Sequence, residues 1–452
     1  MNGQHYLPLT DPVRQEMLAS FGAASIEDLF RDIPPAIQLT RELDLPPSLS
    51  EPEALAHLRH LAAKNMNLED YTCFLGAGAY DHYIPSAVRH LTHRSEFYTA
   101  YTPYQAEISQ GILQAIFEYQ TLICQLTGLD VANASLYDGA SALAEGAVMA
   151  CGATGKRKVL VSRGINPQYR QVLKSYLEVR GLEVNEVLLT AGGQTNLDEA
   201  LRRSEQDPET AALLLQTPNF FGVIEEPGHL ADTLHEHGTL LVVSVDPISL
   251  PLLKTPGEYG ADIATGEGQA LGNPLSMGGP YLGFLAAREN LLRRLPGRIV
   301  GETRDASGLR GYVLTLQTRE QHIRRERATS NICSNQALNA LTAAVYMALM
   351  GPEGMKTVAG HCLQKAAYAR EQICALPGYE LIFPGVHFKE FAVTVTGSPG
   401  EMNEYLLQHG IIGPLDLEQA YPELPRSALF CVTEKRSKAE IDTLVRVLEG
   451  WK

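Results

Sequence analysis

Between Val242 and Phe284 the chain runs VVSVDPISLPLLKTPGEYGADIATGEGQALGNPLSMGGPYLGF. An apolar strand pattern ends in Asp246. A loop, a short Ala-Asp-Ile strand and a Gly-rich segment closing on Gly278-Gly279-Pro280 follow it. A carboxylate at a strand end can pair with a protonated ring nitrogen, and an amine farther along can form an imine with an aldehyde. Here the residue 23 places after Asp246 is Gln269, within Gly-Glu-Gly-Gln-Ala-Leu-Gly, and an amide forms no imine. Lys254 is the only lysine between Lys174 and Lys356. The Thr-Pro-Gly after it favours an exposed loop. Covalent chemistry therefore falls to another polypeptide, with an autonomous enzyme built on Lys254 as the competing reading.

Other candidates surround this stretch. Tyr137-Asp-Gly-Ala-Ser-Ala-Leu-Ala-Glu-Gly opens a helix with small residues, and the backbone N–H groups there, with the Ser141 hydroxyl, suit a phosphate. An ordinary capped helix with close packing reads equally well. Asn219, in Thr217-Pro-Asn-Phe-Phe-Gly, follows an apolar strand. It could face a cleft at the strand ends or simply organise a turn. Residues 74–111 crowd Tyr80, Tyr83, Tyr98, Tyr101 and Tyr104 with His82, His90 and His93 around Gly76 and Gly78. Tyrosine hydroxyls are costly to bury without partners, so this loop reads as a site or interface, against a loop packed on its own protein. The histidines lack HxxxH or comparable spacing, which gives no metal site. Arg319 and Arg327 lie in a basic stretch that is either a solvated helix face or a carboxylate contact.

The spacing of Asp246 and Gln269 resembles that of pyridoxal-phosphate (PLP) enzymes of the aspartate-aminotransferase fold type. In them the strand-end Asp meets the pyridine nitrogen and a Lys about two dozen residues later forms the Schiff base. The resemblance implies a fold type I α/β structure, with Ser141, Asn219, Asp246 and Gln269 as a vestigial cofactor pocket.

The elements that must position these residues are legible. Strand patterns fall at 158–162, 183–189, 211–216, 239–245, 261–264 and 281–286, separated by helical patterns such as 167–180, 196–204 and 228–237. Continuous apolar strands alternating with helices imply a mainly parallel sheet covered on both faces. The expected division is an N-terminal helical arm over 1–70, a large α/β domain over 71–316, and a helical connection with a small α+β domain over 317–452. Bulk properties fit a globular protein: 452 residues, 45% hydrophobic and 20% charged. A net charge of −15 argues against nucleic-acid and anionic-membrane partners. Seven scattered cysteines without a CxxC pair fit reduced thiols, and the expected location is cytoplasmic.

Several stretches together resemble the N-terminal-half subunit of two-chain glycine decarboxylase, the P-protein family of the glycine cleavage system. They are Phe74–Tyr83, Thr99–Gly111 (TAYTPYQAEISQG), Tyr137–Gly146, Gly260–Gly283, Pro296–Arg304, Gln321–Asn331, Val432–Glu434 and Ile441-Asp442. The resemblance implies decarboxylation of glycine on PLP and transfer of the aminomethyl group to the lipoyl arm of H-protein. It implies that a sister subunit, two of each chain together, carries the lysine and binds the PLP covalently. Set against the sister's lysine motif, Gln269 takes the Lys position and Pro274 and Pro280 the two prolines. Tyr98, Tyr101 and Tyr104 would face the substrate, with the loop 74–104 reaching toward the sister's cofactor. A catalytically silent scaffold of the same complex is the alternative role. One departure stands out: Asn166-Pro-Gln-Tyr169 occupies a place where the family suggests His-Pro-x-Tyr.

Overall fold

The computed structural model describes residues 9–39 and 41–451. The chain separates into two compact units, one up to Met66 and one from Asn67 onward. The expected boundary at 316/317 falls inside the second unit.

In the first unit, a helix at Asp11–Ser20 starts behind Thr10 with Pro12 in its first turn. A second helix, Glu51–Ala62, is closed by a Ser50–Glu53 capping box. Leu18 is the only buried residue among those described in this unit, so it has almost no core of its own.

The second unit is organised by a seven-stranded sheet. Its strands are β1 (Val131–Ala132), β2 (Lys158–Ser162), β3 (Glu183–Val187), β4 (Thr210–Thr217), β5 (Leu240–Val245), β6 (Ile263–Glu267) and β7 (Gly283–Ala287). The spatial order is β1-β7-β6-β5-β4-β2-β3. β3, β2, β4, β5 and β6 run parallel, while β7 is antiparallel to both β6 and β1. Alternate residues of the central strands face opposite layers. Leu213, Leu215, Leu241 and Val243 pack into one core, and Ala212, Leu214 and Val242 into the other.

A smaller antiparallel sheet follows, with strands β8 (Glu380–Leu381), β9 (Glu390–Thr394), β10 (Leu415–Asp416) and β11 (Ser427–Cys431) in the order β8-β9-β11-β10. The helix Ala337–Cys374, broken at Gly351 ahead of Pro352, joins the two sheets. Its first half buries Ala340 and Tyr346 in a core of the large sheet, and its last turns bury Ala366 and Ile373 under the small one. The carboxyl ends of β2, β4, β5 and β6 thus open toward the edge of β9, which is where ligands of open α/β sheets bind. All seven cysteines are free thiols.

Candidate functional site: a filled pocket and an open cleft

The pocket at the strand ends is built from three directions. Asp246 follows β5, Glu267 ends β6, and Lys389 and Glu390 arrive from the start of β9. The segment 74–83 then enters from the side. Its course demands Gly76, because an added Cβ there would lie 2.6 Å from Cys431 Cβ and from Glu390 Oε1. Ala77, at φ 63°, donates its N–H to Glu390 Oε1 at 2.6 Å. Tyr80 comes next, and its hydroxyl donates to Glu390 Oε2 at 2.9 Å.

Gln269 completes this arrangement. It is buried, accepts the Tyr80 N–H at 2.9 Å, and donates to the carbonyls of Tyr80 (3.1 Å) and Asn273 (2.8 Å). This amide thus spends two of its three bonds on the inserted loop and the third on the Asn273 carbonyl. Asn166, at the departure noted in the sequence, donates to the Ala77 carbonyl at 3.0 Å and caps its own helix through Gln168 N–H. The same loop is tied from its far side, where Asp81 meets Lys435 and Arg436.

One ion pair lies in the pocket, beside the carboxyls of Glu267 and Glu390. Asp246 Oδ2 lies 2.6 Å from Lys389 Nζ, and Asp246 Oδ1 accepts the Ile248 N–H at 3.0 Å. Lys389 is 2% exposed. Burial is the largest single influence and opposes its charge, but Asp246 together with Cys431 and Cys362 raises its pKa above the ordinary lysine value. Its ammonium sits 3.4 Å from the Tyr80 ring centroid and 3.0 Å from His82 Nε2. The other ring nitrogen of His82 lies 2.7 Å from Glu434 Oε2, which also accepts from Cys362 Sγ at 3.3 Å. Burial pushes the Glu434 carboxyl up, yet His82, the Tyr83 N–H and Cys362 together hold it down at about 2. The fold thus brings His82, Cys362 and Glu434 within 4.8 Å, a cluster that histidine spacing alone gave no hint of. Both nitrogens of His82 are engaged within it.

The helix start at Gly139 is occupied too. Asp138 Oδ1 accepts Ser141 N–H at 2.7 Å, and Glu267 Oε2 accepts Gly139 N–H at 2.9 Å. The Ser141 hydroxyl is turned back on Asp138, accepting its N–H and donating to its carbonyl. Gly139 leaves no room for a side chain, since a Cβ would lie 2.6 Å from the Tyr169 hydroxyl. Burial lifts Glu267 to about 7 against the N–H groups of Gly139, Leu282 and Gln269. Burial likewise lifts Glu390 to about 7, with the Ala77 N–H and Lys389 pulling the other way. Asn219 is buried in its turn; it accepts from Phe221 and Val223 N–H and donates to Gly193 O and Glu225. Of Ser141, Asn219, Asp246 and Gln269, only Asp246 lines the pocket; Gln269 holds the backbone of Tyr80 beside it, Ser141 caps the Gly139 helix start and Asn219 braces a turn.

What remains is a cavity of ≈ 40 Å³, lined by Tyr80, Tyr169, Asp246, Glu267, Lys389 and Glu390 among others. Ligand pockets measure about 300–1,000 Å³. PLP does not fit this chain: its phosphate would face two carboxylates, its ring nitrogen an Asp already paired, and its aldehyde an amide. Lys254 stays exposed in its turn, lining a different cavity with Tyr259 and Arg288.

The tyrosines Tyr98, Tyr101 and Tyr104 occupy a separate place. They line an open cleft of ≈ 890 Å³ with Arg298, Asn335 and Asn339. Tyr101 is 96% exposed, and Tyr98, 58% exposed, stacks on His93 at 5.2 Å. Tyr104 is the anchored member. Its hydroxyl donates to Asn335 Oδ1, and the Arg298 guanidinium lies 4.7 Å from its ring centroid. Arg319 is spent on the backbone carbonyls of Leu295 and Gly297, whereas Arg327 is exposed beside Glu326. The crowded aromatic loop thus divides: Gly78 and Tyr80 enter the chain's own pocket, Tyr83 is exposed, and 98–104 line a surface. That division corrects the picture of 74–104 as one outward-reaching loop.

Sheet order and the strand-end Asp246 define a scaffold like that of PLP-dependent fold type I. Solved structures of this fold agree: a Burkholderia pseudomallei sphingosine-1-phosphate lyase aligns at TM-score 0.65 with 14% identity over 92% of this chain and 94% of that one. A far stronger match is the crystal structure of glycine decarboxylase (P-protein) of the glycine cleavage system in inhibitor-bound form, at TM-score 0.90 and 44% identity over 98% of this chain and 99% of that one. The family model "Glycine cleavage system P-protein" matches residues 4–448. Chains named probable glycine dehydrogenase (decarboxylating) subunit 1 are 56% identical, over 97% of this chain and 98% of the Desulforamulus reducens relative, and over 98% and 99% for Moorella thermoacetica. The chain belongs to the glycine cleavage system P-protein family. Among the described residues no helix is long and apolar enough to cross a membrane.

Proposed function

We propose that the chain is the lysine-free half of a two-chain glycine decarboxylase, two copies assembling with two of a sister subunit of the same fold. The sister holds PLP on its own lysine, and that group supplies the electron sink for loss of CO2 from glycine. This chain's part is to build and close the glycine pocket. Tyr104, fixed by Asn335 and Arg298, sets the floor, and Tyr101 and Tyr98 reach across the subunit boundary to orient the substrate and exclude water. The same cleft lines the route of the lipoyl arm of H-protein, which takes the aminomethyl group. A cytoplasmic enzyme is expected.

The observation that carries the reading is the state of Gln269, which binds the chain's own loop where a lysine would bind a cofactor. The exposure of Tyr101 supports the role of the cleft, since a side chain so free contributes nothing to its own fold. The names of the subunit 1 relatives support the reaction. The test is glycine–bicarbonate exchange by each chain alone and by the mixture. Exchange is expected only in the mixture, with Tyr101→Phe and Tyr104→Phe lowering it. Exchange by this chain alone would sink the proposal; full exchange by both variants would reduce the chain to a silent scaffold.

A further inference from the structure

We propose that the chain carries a built-in replacement for the cofactor of its fold, assembled from its own side chains, which keeps PLP out independently of the missing lysine. Three features of the bound cofactor have counterparts in the filled pocket. The cation that Asp246 would meet is Lys389, at 2.6 Å. The aromatic ring is that of Tyr80, under the same ammonium at 3.4 Å. The anion at the Gly139 helix start is supplied by Asp138 and Glu267, each accepting a backbone N–H there. A helix N-terminus attracts negative charge, and here the protein's own carboxylates satisfy it.

Each part is fixed by more than one partner. Tyr80 is held by its hydroxyl on Glu390 and by both backbone groups on Gln269. Lys389 is held by Asp246 and His82. To admit the cofactor, the chain would have to expel the Tyr80 ring, separate a buried ion pair, and accept a phosphate dianion beside two carboxylates. The remaining ≈ 40 Å³ accommodates a few waters at most.

The replacement also bridges the two sheets. Asp246, Glu267 and Gln269 belong to the large sheet's strand ends, whereas Lys389 and Glu390 stand at the start of β9 in the small one. The two sheets are thereby clamped closed with no ligand present. This inference concerns the chain alone and stands whether or not the pairing with a sister subunit holds.

The test uses pyridoxamine 5′-phosphate, which needs no lysine, and PLP with borohydride. The unmodified chain is expected to show no saturable binding of pyridoxamine 5′-phosphate at millimolar concentration by calorimetry. Gln269→Lys, reduced with borohydride in excess PLP, is expected to yield no pyridoxyl group at residue 269 by peptide mass analysis. Saturable binding by the unmodified chain, or a stoichiometric adduct at residue 269, overturns the proposal. If Gln269→Lys fails to fold, the first measurement decides alone. Tyr80→Ala, at unchanged circular dichroism, is expected to bind pyridoxamine 5′-phosphate saturably, with half-saturation at least about tenfold below the highest concentration at which the unmodified chain shows none. A folded Tyr80→Ala chain that gains none removes the ring from the replacement and contradicts the proposal as stated.

Discussion

The segment running from Phe74 to Tyr104 supplies aromatic side chains to two regions that differ in almost every physical respect. Around Asp246 the Lys389 ammonium is paired, the ring of Tyr80 is enclosed, and ≈ 40 Å³ is left. Around Tyr98–Tyr104 the cleft measures ≈ 890 Å³ and Tyr101 touches almost nothing. The first region has spent its hydrogen-bonding capacity on the fold, whereas the second leaves Tyr98 and Tyr101 exposed and anchors only Tyr104. On the proposed reading, the old pocket is core and the rim is the functional surface.

Substitutions in the two regions should therefore behave in opposite ways. The largest effect is expected at the centre of the filled pocket. Lys389→Met leaves the Asp246 carboxylate buried without its cation, and breaking such a pair costs roughly 3–5 kcal/mol, read as a lowered denaturation midpoint of the isolated chain. An unchanged midpoint would mean that the ion pair contributes no net stability.

Next comes pH. Glu267 and Glu390 are raised to about 7 by burial. A carboxyl whose folded pKa is raised binds more protons folded than unfolded. Its contribution is therefore full below about 4.5 and is lost as pH climbs through about 7. Glu434, held at about 2, acts in the opposite sense, and its contribution disappears only as pH falls from about 4.5 through 2. Stability should decline between pH 4.5 and 7, on the order of a few kcal/mol. Glu390→Gln keeps the Ala77 N–H on its amide oxygen and can donate its amide N–H to the oxygen of a turned Tyr80 hydroxyl, so it should flatten that slope. Denaturant titrations at several pH values would show it.

The cleft gives smaller effects on stability. Tyr104→Phe strands Asn335 Oδ1 and should cost about 1–3 kcal/mol, measured by thermal unfolding. Tyr101→Phe should leave the isolated chain within about 0.5 kcal/mol of the unmodified one while lowering exchange in the assembled complex. If Tyr101→Phe altered the free chain and spared the complex, the contrast between the regions would be lost.

The sequence and the structure agree best where a pattern is local. The runs at 158–162 and 211–216 are mostly apolar and lie within parallel strands, and the run at 239–245 overlaps β5 from Leu240 onward. The alternation of strands and helices implies a mainly parallel sheet, and β7, joined to β6 by a Gly-rich segment instead of a long helix, is antiparallel to it. Gln269 was conspicuous because a known spacing singled it out. Lys389 and Glu390 were not legible. In Val-His-Phe-Lys-Glu-Phe-Ala-Val they read as polar positions at a strand entry, and their partners Tyr80, His82 and Asp246 lie far away in sequence. The one available signal was a Lys-Glu pair inside an otherwise apolar strand, which a buried ion pair explains. Tyr80 was seen but assigned to the outside with Tyr98 and Tyr101, because crowding along the chain does not say which side of a loop is buried. Ser141 and Asn219 carried motifs whose functional and turn-forming readings share the same residues, and only geometry separates them.

The measurement that bears most directly on the account is the number of PLP molecules bound per assembled complex, counted by absorbance after saturating PLP and removal of the excess. One PLP per pair of unlike chains is the expected result, with borohydride-fixed cofactor on the sister alone. Two per pair, or fixed cofactor recovered on this chain, would show that the pocket around Asp246 still opens and would contradict the division between a filled core and a working rim.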